Sequence, residues 1–257
     1  MTRIVRSVQA STARCAPHRH HFYSHTRCAP IRGRTSSWEG IVIVTAARSS
    51  GLPDGSAFAE AYAAEDVVLQ TARTLAAELG LAALSPGAGA LLRLLAAAGN
   101  AKSVVEIGTG TGVSGTWLLR GMRPDGVLTT IDVESEHQRI ARRIFLEAGF
   151  APSRTRIIAG RALDVLPRLA DGVYDLIFVD ADATESGECA DAALRLLRPG
   201  GTLIVNGALA GGRIGDPAAR DAETITIREM LKTVRESDDW IPAVLPIAAG
   251  LLVAVRR

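Results

Sequence analysis

A short apolar run, Val104-Val105-Glu106-Ile107, passes directly into Gly108-Thr109-Gly110-Thr111-Gly112-Val113-Ser114-Gly115. No other feature constrains the fold of this chain as tightly. The run has the length of a strand, and helical spacing resumes at Val113, so the glycines fall where a strand turns sharply into a helix. Bare backbone at such a turn lets a ligand approach closely, and the free N–H groups of the helix start favour an anion. Units of this kind build parallel sheets, whose ligands sit beyond the carboxyl ends of the strands.

The rest of the chain repeats the alternation. Strand-like runs fall at 103–107, 127–131, 156–159, 174–179 and 202–205, with helical patterns between them at 113–122, 135–148, 162–169 and 188–197. Strands alternating with helices imply an α/β, doubly wound, mostly parallel sheet with right-handed crossovers. Two helices are expected ahead of it, at 58–80 and 86–98, with Gly80 as a stop and Ser85-Pro86 as N-cap and first turn. A helix at 220–236 follows the sheet. Runs at 242–248 and 251–255, separated by Ala249-Gly250, read as a C-terminal antiparallel hairpin. One domain is expected over 58–257, with N-terminal helices (58–99) and a core (100–257).

Residues 1–57 lack this periodicity. Eight arginines against Glu39 give residues 1–50 a net charge of +7, so the remaining residues carry −5 of the overall +2. Such a segment is expected to be disordered, or not normally translated because the start was placed too early. It also resembles an organellar transit peptide, and Cys15, His18, His20, His21, His25 and Cys28 can be drawn as a metal site, although their spacing fits no zinc pattern. The most apolar stretch, 81–99, is interrupted by Pro86, Arg93 and glycines, so no membrane span is expected. The acidic folded part argues against nucleic acid. Three unpatterned cysteines suit a reducing, cytoplasmic setting.

What the glycine loop holds is open on the glycines alone. Gly110, Gly112 and Gly115 satisfy the dinucleotide fingerprint, and Asp132 follows at about the expected 20 residues. That reading makes the chain an NAD(P)-dependent oxidoreductase. Glu106 opposes it, because a carboxylate aimed at the loop would repel a pyrophosphate and suit an ammonium. The amino-acid end of S-adenosyl-L-methionine offers both an ammonium, for Glu106, and a carboxylate, for the loop amides and Ser114. Asp132, closing the second strand, can accept both ribose hydroxyls. Its structural alternative is an N-cap, shared with Glu134, for the helix near Ser135.

Several segments together resemble the small S-adenosylmethionine-dependent O-methyltransferases related to the catechol and caffeoyl-CoA enzymes, and a mycobacterial-type branch most closely. They are Val105-Glu106-Ile107-Gly108-Thr109, Thr130-Ile131-Asp132, Gly160-Arg161-Ala162, Tyr174-Asp175-Leu176-Ile177-Phe178-Val179-Asp180-Ala181-Asp182, Leu197-Arg198-Pro199-Gly200-Gly201, Gly212-Arg213-Ile214 and Arg220-Asp221-Ala222-Glu223-Thr224. The resemblance covers roughly residues 60–257. It implies a Rossmann-like class I methyltransferase fold and a cofactor shell of Leu84, Glu106, Gly108, Thr109, Ser114, Asp132 and Val133. It also implies an adenine frame of Gly160, Arg161 and Ala162, with Arg161 in place of the usual small or acidic residue. A small hydroxylated acceptor, and a homodimer through the helices before Gly99, are further implications.

The resemblance further implies a divalent metal, such as magnesium, held by Asp180 and by an Asp-Asn pair at the end of the fifth strand. That pair reads Asn206-Gly207 here, and the lysine that follows the Asp-Ala-Asp run in many relatives is Ala183. Asp180 and Asn206 alone make a poor cage for a hard cation unless Asp182 turns inward. Asp180 is then a structural acid, a holder of the substrate hydroxyl or a general base. His137 is expected to point away from the acceptor, whose contacts should come from 183–187 and 209–217. A third class, a cofactor-binding domain that has lost catalysis, stays open beside the methyltransferase and the oxidoreductase.

Overall fold

The structure, a computed structural model, describes residues 55–257. The arginine-rich start and its Cys/His run lie outside the described residues. Among those described, a seven-stranded sheet runs in the order β3-β2-β1-β4-β5-β7-β6. Its strands are β1 (Ser103–Ile107), β2 (Val127–Asp132), β3 (Thr155–Ala159), β4 (Tyr174–Val179), β5 (Leu197–Asn206), β6 (Trp240–Leu245) and β7 (Leu251–Arg256). Strands β1 to β5 pair in parallel, whereas β7 lies antiparallel between β5 and β6.

The helices are α1 (Gly55–Tyr62), α2 (Val67–Glu78), α3 (Pro86–Ala98), α4 (Val113–Gly121), α5 (Ser135–Glu147), α6 (Ala162–Val165), α7 (Ser186–Leu196) and α8 (Ala222–Glu236). Burial on both sides explains why the central strands read as continuous apolar runs. Val105, Ile107, Ile177, Val179, Leu203 and Val205 face α7 and α8, and Val104, Leu128, Leu176, Phe178 and Ile204 face α3, α4 and α5.

Several expected boundaries move, each for a local reason. The single helix expected at 58–80 is two, because Asp66 turns out of helical conformation and caps α2 by accepting the N–H of Leu69 at 3.1 Å. The carboxylates at the break are held by distant arginines: Glu65 by Arg73 and Asp66 by Arg120 of α4, each at 2.6 Å. Pro167 stops α6 after one turn, since it has no N–H to donate and its ring crowds the preceding turn, and a short 3₁₀ turn follows. The C-terminal hairpin exists, but its first strand starts at Trp240 and ends at Leu245, before the residues expected to close it.

At the foot of the sheet Asp175 ties three strands together. One carboxylate oxygen accepts the N–H groups of Lys102 and Ser103 at 2.7 and 2.8 Å, and the other accepts Nε of Arg198 at 2.7 Å. Burial pushes this carboxyl up, but the backbone donors and the Arg198 guanidinium outweigh burial and hold it below the usual value. A lowered native pKa stabilises the fold above the unfolded value of about 4, and the contribution is lost as pH falls through the native value. Asp175→Asn should therefore cost about 1–3 kcal/mol at pH 7. In urea unfolding, the gap from the wild type should narrow below about pH 4.

Candidate active site

The order of the sheet reverses between β1 and β4, and at that point the loops beyond the two strands separate to leave a crevice. It is a cavity of about 420 Å³. Gly108 lets the loops come this close: its φ of +92° lies in the left-handed region, and a Cβ there would overlap the carbonyl oxygen of Asp180. The Asp180 N–H also bonds the Ile107 carbonyl at 2.8 Å, fixing the end of β4 beside the glycine turn.

Of the residues named from sequence, Leu84, Gly108, Thr109, Ser114, Asp132, Val133, Arg161, Ala162 and Asp180 all line this cavity. Glu106 and Asn206 do not. Glu106 shares the strand face of Val104, beneath α4, and is fully buried. Thr130 donates to one of its oxygens at 2.6 Å and Ser114 to the other at 2.7 Å. Thr109, 2.7 Å from Thr130, must donate in turn, because Thr130's one proton is already committed to Glu106. The proton of Ser114 is likewise committed, so Ser114 presents lone pairs to the cavity. While this network stands it cannot donate to a ligand carboxylate, the role expected from sequence, but it can accept from an ammonium.

Burial pushes the Glu106 carboxyl up to about 8; the Thr130 and Ser114 hydroxyls oppose that, and the charges of Asp180 and Asp132 add to it. A cation placed above Ser114 would favour the ionised form, the one in which both Glu106 oxygens accept and the network stands as described.

Asp132 closes β2 with both oxygens aimed at the rim. Oδ2 accepts the Gly110 N–H and Oδ1 the Glu134 N–H, both at 2.9 Å, and each retains a lone pair for a further donor. His137, expected away from the acceptor side, lines the cavity at its Asp132 end, with Nδ1 3.4 Å from Asp132. Its place on the first turn of α5, which starts three residues after the strand-end acid, brings it there. Arg161 pairs with Glu185 at 2.6 Å, linking the turn after β3 to the loop after β4.

At the end of β5, Asn206 donates its side-chain N–H to Oδ1 of Asp180, the residue after β4, at 2.9 Å. Burial raises the Asp180 carboxyl and the Asn206 donor partly offsets it. The Asn206 oxygen is buried with no hydrogen-bond partner among the described residues. A divalent cation does not fit this donor set. Gly207 offers no side chain, and Asp182 is bound to the N–H and hydroxyl of Thr184 at 2.9 and 2.8 Å, which leaves Asp180 and the Asn206 oxygen. One charge and one neutral oxygen fall short of the several oxygen ligands a hard cation takes.

A family model for O-methyltransferases matches residues 56–257. The chain is 54% identical over 200 residues to a Mycobacterium tuberculosis protein named "Probable O-methyltransferase", covering 78% of this chain and 89% of that one. Among solved structures it resembles the O-methyltransferase TomG of Streptomyces achromogenes, involved in tomaymycin synthesis and in complex with S-adenosylmethionine. That likeness has 32% identity and a TM-score of 0.71, over 78% of this chain and 94% of that one. An O-methyltransferase of Bacillus cereus, in complex with S-adenosylhomocysteine, matches at 27% identity and a TM-score of 0.71, over 78% and 96%.

The buried acid gives a test of the site's electrostatics in the cofactor-free protein. Glu106 has a native pKa above its unfolded value, so its contribution is present below about pH 4.5 and declines as pH rises towards about 8. Glu106→Gln removes this dependence. Its stability relative to the wild type should rise by up to about 1.4 kcal/mol per pH unit across that window and stay flat outside it, measured by urea unfolding.

Proposed function

Because the chain belongs to the O-methyltransferase family, we propose that it transfers a methyl group from S-adenosylmethionine to the hydroxyl of a small acceptor beside Asp180. The observation that carries this reading is the single crevice wall on which nine of the residues expected from sequence converge. S-adenosylmethionine supplies an electrophilic methyl group on a sulfonium, which leaves as the thioether of S-adenosylhomocysteine.

Asp132, at the rim, accepts from the ribose hydroxyls, while Leu84 and Val133 supply apolar wall. Arg161 and Ala162 frame the adenine. The N–H groups of Gly108, Gly110 and Gly112 are taken by Ile131, Asp132 and Thr109, so the carboxylate falls to the amides of Thr109 and Thr111, and Ser114, backed by Glu106, accepts from the ammonium. This assigns Glu106 an indirect part, through the hydroxyl it holds. Asp180 takes the acceptor's proton as the oxygen bonds the methyl carbon and the S–C electron pair returns to sulfur. Its raised pKa suits that task, since a carboxylate lifted above its usual value is a stronger base. Positioning of the two reactants supplies much of the remaining acceleration.

Among the described residues no helix is long and apolar enough to cross a membrane. The reading includes a cytoplasmic setting, in keeping with Cys189 as a buried free thiol, and no nucleic-acid partner. A homodimer through α1–α3 would cover Phe58, Tyr62, Val67 and Leu94, which are apolar and exposed.

Calorimetric titration of the full chain should show micromolar binding of S-adenosylhomocysteine and none of NAD; the reverse result would reinstate the oxidoreductase. Asp132→Ala should weaken that binding by about 2–4 kcal/mol, the scale for stranding buried polar partners. Unchanged affinity would remove the ribose assignment. Asp180→Asn should keep the cofactor affinity but lower turnover of a phenolic acceptor by about 10²–10⁴-fold, as expected for loss of a general base.

A further inference from the structure

We infer that this chain transfers its methyl group without a divalent cation, the side-chain N–H of Asn206 standing against Asp180 where the family resemblance implies the cation's charge. The inference rests on the methyltransferase reading above.

The first support is the use already made of each candidate donor. The amide of Asn206 spends its N–H on Oδ1 of Asp180, which leaves that oxygen partly neutralised by a dipole instead of an ion. Asp182 is held back in its own turn by Thr184. Gly207 contributes nothing, although its surroundings would admit a ligand: no atom lies within 4 Å of a Cβ built there. The cation's position has therefore been lost through two side chains, with the space around them still present.

The second support is the scarcity of other positive charge. Among the described residues that line the cavity, only Arg161 and His137 can carry one. Arg161 is paired with Glu185, and His137 stands beside Asp132 at the ribose end. The lysine position after the Asp-Ala-Asp run is Ala183. Nothing beside Asp180 can lower a hydroxyl's pKa by a full charge, as a metal does.

This limits the acceptor. A lone carboxylate can help remove a proton from a phenol, whose pKa is about 10, far more readily than from an alkyl hydroxyl. Two adjacent hydroxyls gain nothing without an ion to chelate. An anionic acceptor would meet Asp180 and Asp182 along the cavity wall. The acceptor class is a neutral or cationic phenol with one reacting hydroxyl.

The test titrates Mn²⁺ into the full chain, with S-adenosylhomocysteine bound, by calorimetry and by the manganese paramagnetic signal. The wild type should show no saturable binding below about 1 mM, whereas N206D/G207N should bind at least about tenfold more tightly, having gained one charge and one more oxygen ligand. Asparagine tolerates the left-handed backbone at 207, where φ is +78°. If that double variant fails to fold, Asn206→Asp alone should still gain affinity. Micromolar Mn²⁺ binding by the wild type, lost in Asp180→Ala, would overturn the inference while leaving the methyltransferase reading intact. Silence of every variant would overturn the assignment of positions 206 and 207 as the cause. Failure of S-adenosylhomocysteine to bind would remove the methyltransferase reading and this inference with it.

Discussion

The loops after β1 and β4 can meet only because residue 108 has no side chain: a Cβ there would collide with the carbonyl of Asp180. This one steric allowance places the glycine turn, Asp132 and Asp180 around the same crevice. The parallel sheet provides the frame, since its order reverses between β1 and β4 and no crossover helix covers the gap. The hydrogen bond from Asp180 N to Ile107 O then fixes the reacting end against the binding end. A residue with a side chain at 108 would separate the loops and disturb both ends together.

Beneath that turn lies an unusual choice for a central strand, a fully buried glutamate. An ionised carboxyl there would be costly without partners. The chain supplies two hydroxyl donors from different elements, Thr130 on β2 and Ser114 on α4, and Thr109 completes a chain from the loop itself. The network links strand, loop and helix through a residue that does not line the cavity. Gly115 belongs to the same arrangement, because a Cβ there would come within 3.0 Å of a Glu106 oxygen and crowd the Phe145 ring.

The alternation of strands and helices was legible because the buried central strands carry apolar runs with clear punctuation. What escaped depended on distant partners. The break at 63–66 hides in an alanine-rich helical pattern and is set by Arg73 and by Arg120 of another helix. β6 is an edge strand with mostly exposed residues, so it shows little of the alternation by which strands are recognised. The site divides in the same way. Gly108 and Asp132 announce themselves by their places at strand ends. The direction of Glu106 was readable from period-two parity with Val104, but its role depends on which hydroxyls meet it. Whether Asn206 presents oxygen or N–H is set by its neighbour Asp180, and sequence carries no sign of that.

Charge completes the account of the site. Asp132, Glu134, Asp180, Asp182 and Glu185 line the cavity, against Arg161 and His137. On the proposed reading the methyl donor enters as a sulfonium cation and leaves as a neutral thioether. A wall of carboxylates therefore holds the reactant more strongly than the product, which favours exchange after each turnover. The same attraction would slow the reaction if it acted on the sulfonium alone, because an interaction lost on the way to the transition state raises the barrier. Asp180 offsets this only if it interacts more strongly with the acceptor's proton as the transfer proceeds. The amide of Asn206 is consistent with that requirement. It positions the carboxylate through one oxygen and leaves the other free to take the proton, at a basicity set by burial.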